Sequence, residues 1–117
     1  VTRILVTGSR TWDDALVLAA ALAEAAQDEP VTVVHGACPS GADRLADVIA
    51  TATGWTVERH PARWGELGKR AGFVRNAHMV NLGADVCLAF IRDGSRGASH
   101  TAALAEDAGI RTVRYVA

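Results

Sequence analysis

The sequence predicts a single three-layer α/β domain over residues 1–117, with a five-stranded parallel sheet in the order 3-2-1-4-5. Three observations lead there. Ile4-Leu5-Val6 and Val86–Ile91 are unbroken apolar runs, the pattern of strands buried on both faces. Such runs alternate with alanine-rich helical stretches as βαβαβαβαβ, which implies a parallel sheet with helices on both sides. The turns after strands one, two and four are built from small residues, as at the strand ends where open α/β sheets bind ligands. Right-handed crossovers put the switch point between strands one and four. That order brings Gly8-Ser9-Arg10 beside Asp93-Gly94-Ser95-Arg96-Gly97.

The elements follow in order. The first strand runs from Arg3 to Thr7 and into Gly8, which lets the chain turn without a Cβ clash. Asp13 or Asp14 caps a helix over Ala15–Gln27. This helix carries no charge from Ala15 to Ala23, so more than one side should be covered, one by the sheet and another by a partner subunit. Pro30 ends that pattern, and Val31–His35 forms the second strand. Ser40 is placed to cap a helix over Gly41–Thr53, which Gly54 closes. Trp55–His60 is the third strand, and Pro61 stops it. Ala62–Gly72 contains Trp64, Gly65 and Gly68 and reads as an ordered loop with one helical turn. A helix from about Phe73 to Leu82 ends at Gly83. Asp85–Ile91 is the fourth strand, Arg92–Gly97 a glycine-bearing loop, Ala98–Ala108 a helix and Ile110–Val116 the last strand.

Composition narrows the function classes. Half the residues are hydrophobic and 21% are charged, a globular balance, and the net charge is −1. That charge gives no global attraction to nucleic acid or to an anionic membrane. No apolar run approaches the ~20 residues of a membrane span. Cys38 and Cys87 have no metal-like spacing and suit a reducing compartment. A cytoplasmic protein is the expectation. The four histidines show no H-x-x-x-H spacing, so no metal site is expected.

Three turns carry the chemistry: Gly-Ser-Arg after strand one, Gly36-x4-Gly41 after strand two and Gly94-Ser95-Arg96-Gly97 after strand four. Helix N-termini behind such turns offer free N–H groups and partial positive charge, which suit a phosphate. Arg10 and Arg96 add bidentate donors. Gly36 to Gly41 has P-loop spacing, but Ala42-Asp43 stands where Lys-Ser/Thr would be, so an NTPase reading fails. Asp43 is placed to accept from a ribose or to stabilise its helix start. His35 and His100 either line the site or are structural. Trp12 and Trp64 either stack on a base or pack. Arg59, Arg63, Lys69, Arg70 and Arg75 form a local basic patch opposed only by Glu66.

Val6-Thr7-Gly8-Ser9-Arg10-x-Trp12, His35-Gly36-x4-Gly41-Ala42-Asp43-x-x-Ala46, Pro61-Ala62-x-Trp64, Gly68-Lys69-x-Ala71-Gly72-x-x-Arg75-Asn76-x-x-Met79 and Gly83-Ala84-Asp85 together resemble the YspA/YpsA-related branch of the SLOG superfamily. Ala89-Phe90 and Ser95-Arg96-Gly97 extend the resemblance over nearly the whole chain. It implies a Rossmann-like fold and a nucleotide or nucleotide-derived ligand at the strand ends. Other branches include the LOG phosphoribohydrolases, the DNA-processing protein DprA and sensors of NAD-derived nucleotides. Two departures stand out. Gly97-Ala98 replaces the superfamily's usual Gly-Thr, although Ser99 and Thr101 offer hydroxyls nearby. Thr101 also occupies the place of the LOG catalytic Glu, whereas Arg75 matches the LOG Arg. A threonine cannot supply the carboxylate that N-glycosidic hydrolysis requires.

The expectation is therefore a ligand-binding domain for a nucleotide-type small molecule, with no resident cofactor. Gly8, Ser9, Arg10 and Gly94–Gly97 would hold phosphate, Gly36, Gly41 and Asp43 the sugar side, and Arg75 and Asn76 would complete the pocket. Trp12, His35, Asp93 and Ser99 complete the candidate set. The alternatives are N-glycosidic hydrolysis of a nucleotide and, less favoured, binding of single-stranded nucleic acid through the basic patch. The apolar first helix predicts a homodimer or higher homo-oligomer.

Overall fold

The computed structural model describes residues 1–117. Five strands, β1 (Thr2–Gly8), β2 (Val31–His35), β3 (Thr56–Arg59), β4 (Val86–Ile91) and β5 (Arg111–Val116), form one sheet in the order β3-β2-β1-β4-β5. Every pairing is parallel, and β1 lies in the middle, with Leu5 opposite Val34 on one side and Cys87 on the other. The fold is the three-layer Rossmann-like arrangement that the strand patterns imply.

The side-chain period of two divides the central strands between two cores. Ile4, Val6, Val33, Leu88 and Phe90 face α1 (Ala15–Ala25) and α2 (Gly41–Thr53), where Leu18, Leu22, Ala42 and Ala46 bury against them. Leu5, Val34 and Cys87 face the opposite layer, meeting Met79 and Val80 of α4 (Ala71–Asn81) and Ala105 of α5 (Arg96–Asp107). Both faces of β4 are filled, so all six of its residues are buried. Burial pushes the Cys87 thiol up to about 12, which leaves it inert.

The largest difference from the sequence reading lies between Pro61 and Phe73. The stretch forms a short helix α3 (Trp64–Leu67), then a 3₁₀ turn (Gly68–Arg70), and α4 starts at Ala71 rather than Phe73. The early start has a packing cause. The Ala71 side chain is buried, and Trp64 lies over Gly72 so closely that a Cβ there would be 3.2 Å from its ring. α5 likewise begins at Arg96, two residues before the expected Ala98.

No helix is long and apolar enough to cross a membrane. Burial of Leu18, Ala21 and Leu22 within the chain covers one side of α1, while Leu16 remains 85% exposed.

Candidate functional site

The carboxyl ends of β1, β2 and β4 open on a cavity of about 660 Å3. Its rim begins with the β1 turn. Ser9 is buried there and joins two strands: its Oγ donates to the Arg92 carbonyl (3.0 Å) and accepts from the Arg92 N–H (2.7 Å), while its N–H donates to the Phe90 carbonyl. Arg10 then lies exposed on the rim. The β1 turn also meets α2. The Ser9 carbonyl accepts the Ala42 N–H at 3.2 Å, and the Ser40 hydroxyl donates to the Arg10 carbonyl at 3.1 Å. This approach needs two glycines. A Cβ on Gly8 would lie 2.3 Å from that of Ala42, and one on Gly41, at φ +72, would lie 2.2 Å from the Ser9 carbonyl oxygen. Gly41 is therefore a packing glycine and does not line the cavity.

The β2 turn forms the floor. His35 is 2% exposed, and its Nδ1 accepts the Ala37 N–H (2.9 Å). In the neutral ring this leaves the proton on Nε2, which donates to Asp47 Oδ2 at 2.7 Å. Asp47 also accepts from Arg59 Nε and Nη2. Those Arg59 hydrogen bonds, with a lesser contribution from His35, hold the Asp47 carboxyl down at about 2. Ala37 adopts φ +58, unusual for a residue with a Cβ, and the His35 bond holds it there.

Two charged groups stand at the cavity wall, Asp43 buried and Arg75 partly buried. Asp43 is 7% exposed and accepts the Cys38 N–H. Burial raises its carboxyl above the ordinary range, against the opposing pull of the Cys38 N–H, His35 and Arg75. Arg75 leaves α4 with Nε donating to Asn76 Oδ1 (2.7 Å) and Nη1 donating to the carbonyls of Gly36 and His60. Burial pulls its guanidinium below the ordinary value, with Asp43 the main opposing influence. Of its five N–H donors the two on Nη2 remain free.

The helix starts are not equivalent. Asp14 Oδ1 caps α1 by accepting the Val17 N–H at 3.0 Å. The start of α2 has Asp43 in its first turn, so a carboxylate already meets its positive end. α5 opens on the cavity without a side-chain cap, since Ser95, like Ser40 before α2, makes no capping bond; Ser95 and Gly97 form part of the wall. Arg10 and Arg92 line the same cavity. Arg92 is partly committed, since it pairs with Asp13 at 2.8 Å.

Gly8, Ser9, Arg10, Gly36, Asp43, Arg75, Asn76, Ser95 and Gly97 thus meet around one cavity. The other candidates lie elsewhere, each for a physical reason. Trp12 packs against Phe90 in the core (ring centroids 5.4 Å apart), its indole N–H donating to the Asp14 carbonyl. His35 is enclosed beneath the loop with Asp47. Asp93 and Gly94 form a left-handed turn, exposed to solvent. Arg96 is exposed at the outer start of α5, and Ser99 Oγ turns back to the Ser95 carbonyl (2.8 Å). Thr101 is fully buried and bonds the Gly97 carbonyl, so it offers no hydroxyl to the cavity. The basic patch divides as well: Arg59 pairs with Asp47 and Arg75 turns inward.

Several wall residues were outside the candidate set, among them Thr7, Cys38, Lys69, Phe73 and Arg92. Arg92 had a legible signal, because it ends an apolar strand on the ligand-binding edge. Trp64 and Phe73 are about half exposed and give the cavity aromatic surface. Phe73 also meets His100 edge-on, which places His100 behind the wall.

Comparison with known proteins agrees with this architecture. A sequence model of the YspA, cpYpsA-related SLOG family matches residues 2–66, from β1 into α3. The chain is similar to the Gene 61 protein of Mycobacterium phage D29, with 42% identity over 97% of this chain and 95% of the phage protein. No solved structure matches it. The matched segment contains the Gly-Ser-Arg turn, the Gly-x4-Gly-Ala-Asp turn and the sheet's central strand, and on these grounds the chain belongs to the YspA, cpYpsA-related SLOG family.

Proposed function

We propose that the cavity binds a nucleotide or nucleotide-derived small molecule. One observation carries this reading: a single cavity combines an uncapped helix N-terminus with a nearby cation, a buried carboxylate and exposed aromatic surface. The α5 start and Arg10 suit a phosphate. Asp43 suits ribose hydroxyls as an acceptor, and Arg75 Nη2 adds a donor. Trp64 and Phe73 suit a base. The volume falls within the ordinary range for small-molecule sites. Membership of the SLOG family supports the same ligand class.

Calorimetry with nucleoside monophosphates, NAD, ADP-ribose and cyclic ADP-ribose tests the reading. At least one should bind, and Arg10→Ala should weaken it by about tenfold, the loss of roughly one charge-assisted interaction. Absence of binding at millimolar concentration, together with an unchanged response in Arg10→Ala, defeats it.

A second reading, hydrolysis of an N-glycosidic bond in a nucleotide, gains one specific support. Asp43 places a carboxyl of raised proton affinity in the same wall as Arg75, although position 101 holds no acid. A carboxyl whose proton affinity is raised by burial is a candidate for general acid–base work. Incubation with nucleoside monophosphates should release free base and ribose phosphate, and Asp43→Asn should abolish that release. No turnover across the common bases removes this reading and leaves the binding reading intact.

A further inference from the structure

A second cavity, of about 510 Å3, lies on the β3 side of the molecule, between the end of that strand, α3 and α4. Its polar lining is basic throughout: Arg59, Arg63, Arg75, His60 and His78, with no carboxylate. Arg75 contributes only wall, because its guanidinium is turned to Gly36 and His60. Arg59, Arg63 and His78 retain free donors on this side. Arg59 uses Nε and Nη2 on Asp47, so Nη1 is uncommitted, and the side chain is half exposed. Arg63 is 75% exposed and 3.7 Å from Glu66, too far for a hydrogen bond. His60 donates Nε2–H to Glu58, which leaves Nδ1 of the neutral ring an acceptor, and His78 meets the His60 ring edge-on at 5.5 Å. Glu58 is itself held by Arg3 at 2.8 Å. The rest of the lining is apolar, chiefly Leu67, Ala71 and Val74.

We propose that this cleft is a second anion-binding site, separate from the main cavity, for a phosphate ester whose organic part lies on Leu67 and Val74. Guanidinium forks match phosphate oxygens bidentately, and the His78 imidazole N–H adds a donor at the same edge. The apolar lining excludes water from one side of the ligand, which a bare inorganic anion cannot exploit. A phosphorylated metabolite and the 5′ end of a nucleic-acid strand share this chemistry.

The test is a titration of the histidine ring signals by NMR, using the whole chain. Phenyl phosphate should shift the His60 and His78 signals saturably, and inorganic phosphate should bind about tenfold more weakly. Arg63→Glu should weaken phenyl phosphate by about tenfold or more, since it reverses a charge at an exposed position where folding is unaffected. Val74→Asp, also exposed, should act in the same direction. Arg10→Ala, on the main cavity, should leave this titration unchanged. A 5′-phosphorylated trinucleotide that binds more tightly than phenyl phosphate assigns the site to a strand end, and the reverse order assigns it to a small metabolite. Unmoved histidine signals, equal affinity for inorganic phosphate, or an unchanged affinity in Arg63→Glu overturns the proposal. None of these outcomes depends on whether the main cavity binds a nucleotide.

Discussion

At the scale of single residues, the candidate site contains side chains of opposite thermodynamic character. Ser9 stabilises the fold: its hydroxyl both donates to and accepts from Arg92, closing β1 on β4. Ser9→Ala leaves the Arg92 N–H without a partner in a buried place, so unfolding in urea should show a loss of about 1–3 kcal/mol. Asp43 acts in the other direction. A carboxyl raised by burial means that the folded state disfavours its ionised form, so stability falls as pH rises from the ordinary carboxylate range toward the folded value. Asp43→Asn keeps an acceptor for the Cys38 N–H and removes that cost. It should raise the melting temperature near neutral pH by a few degrees while weakening ligand binding. A residue whose removal improves stability and impairs binding is one retained for function.

At the scale of elements, β2, α2 and β3 are fastened by one polar chain, Ala37 N–H to His35 to Asp47 to Arg59. With Asp47 held at about 2, its contribution is complete above the unfolded value near 4 and is lost as pH falls through about 2. Glu58, lowered chiefly by Arg3 and then by His60, adds to the same acid limb. Urea midpoints measured between pH 5 and pH 2 should fall, and Asp47→Asn should flatten that fall while lowering stability at neutral pH. The strands and the αL end of α2 were legible because apolar runs and Gly54 are local signals. The start of α4 was not, because it depends on Trp64 lying over Gly72, a contact between elements. Of the glycine-bearing turns Gly8, Gly36 and Gly97 line the cavity, whereas the fate of Trp12 did not show in its surroundings: its ring turns inward to Phe90 in the same core. His35 was legible as a strand end, but its partner Asp47, twelve residues away, appears only once α2 packs on β2.

At the scale of the molecule, the two helical layers differ in what they leave uncovered. On the α1 side Leu16, Ala20 and Ala23 remain exposed at helical spacing, a smaller apolar surface than the sequence implied, since Leu18 and Leu22 are internal. Self-association through α1 requires a dimeric mass by light scattering at high micromolar concentration, returned to a monomeric mass by Leu16→Glu. Because Leu16 is 85% exposed, that substitution should change the unfolding free energy by less than about 0.5 kcal/mol. Leu22→Ala is the internal counterpart, in a fully buried position, and should cost about 2–5 kcal/mol.

The contact of the Ala42 N–H with the Ser9 carbonyl gives the site its own reporter. That amide is protected only while the first turn and the start of α2 are docked, which Gly8 and Gly41 make possible. Its hydrogen-exchange rate therefore measures how often the two loops part. If they open as a local unit, Ala42 exchanges faster than the central amides of β1 in the free protein. A ligand gripping both loops should slow Ala42 before it slows the sheet, so a single backbone proton distinguishes a ligand that bridges the loops from one that rests on either alone.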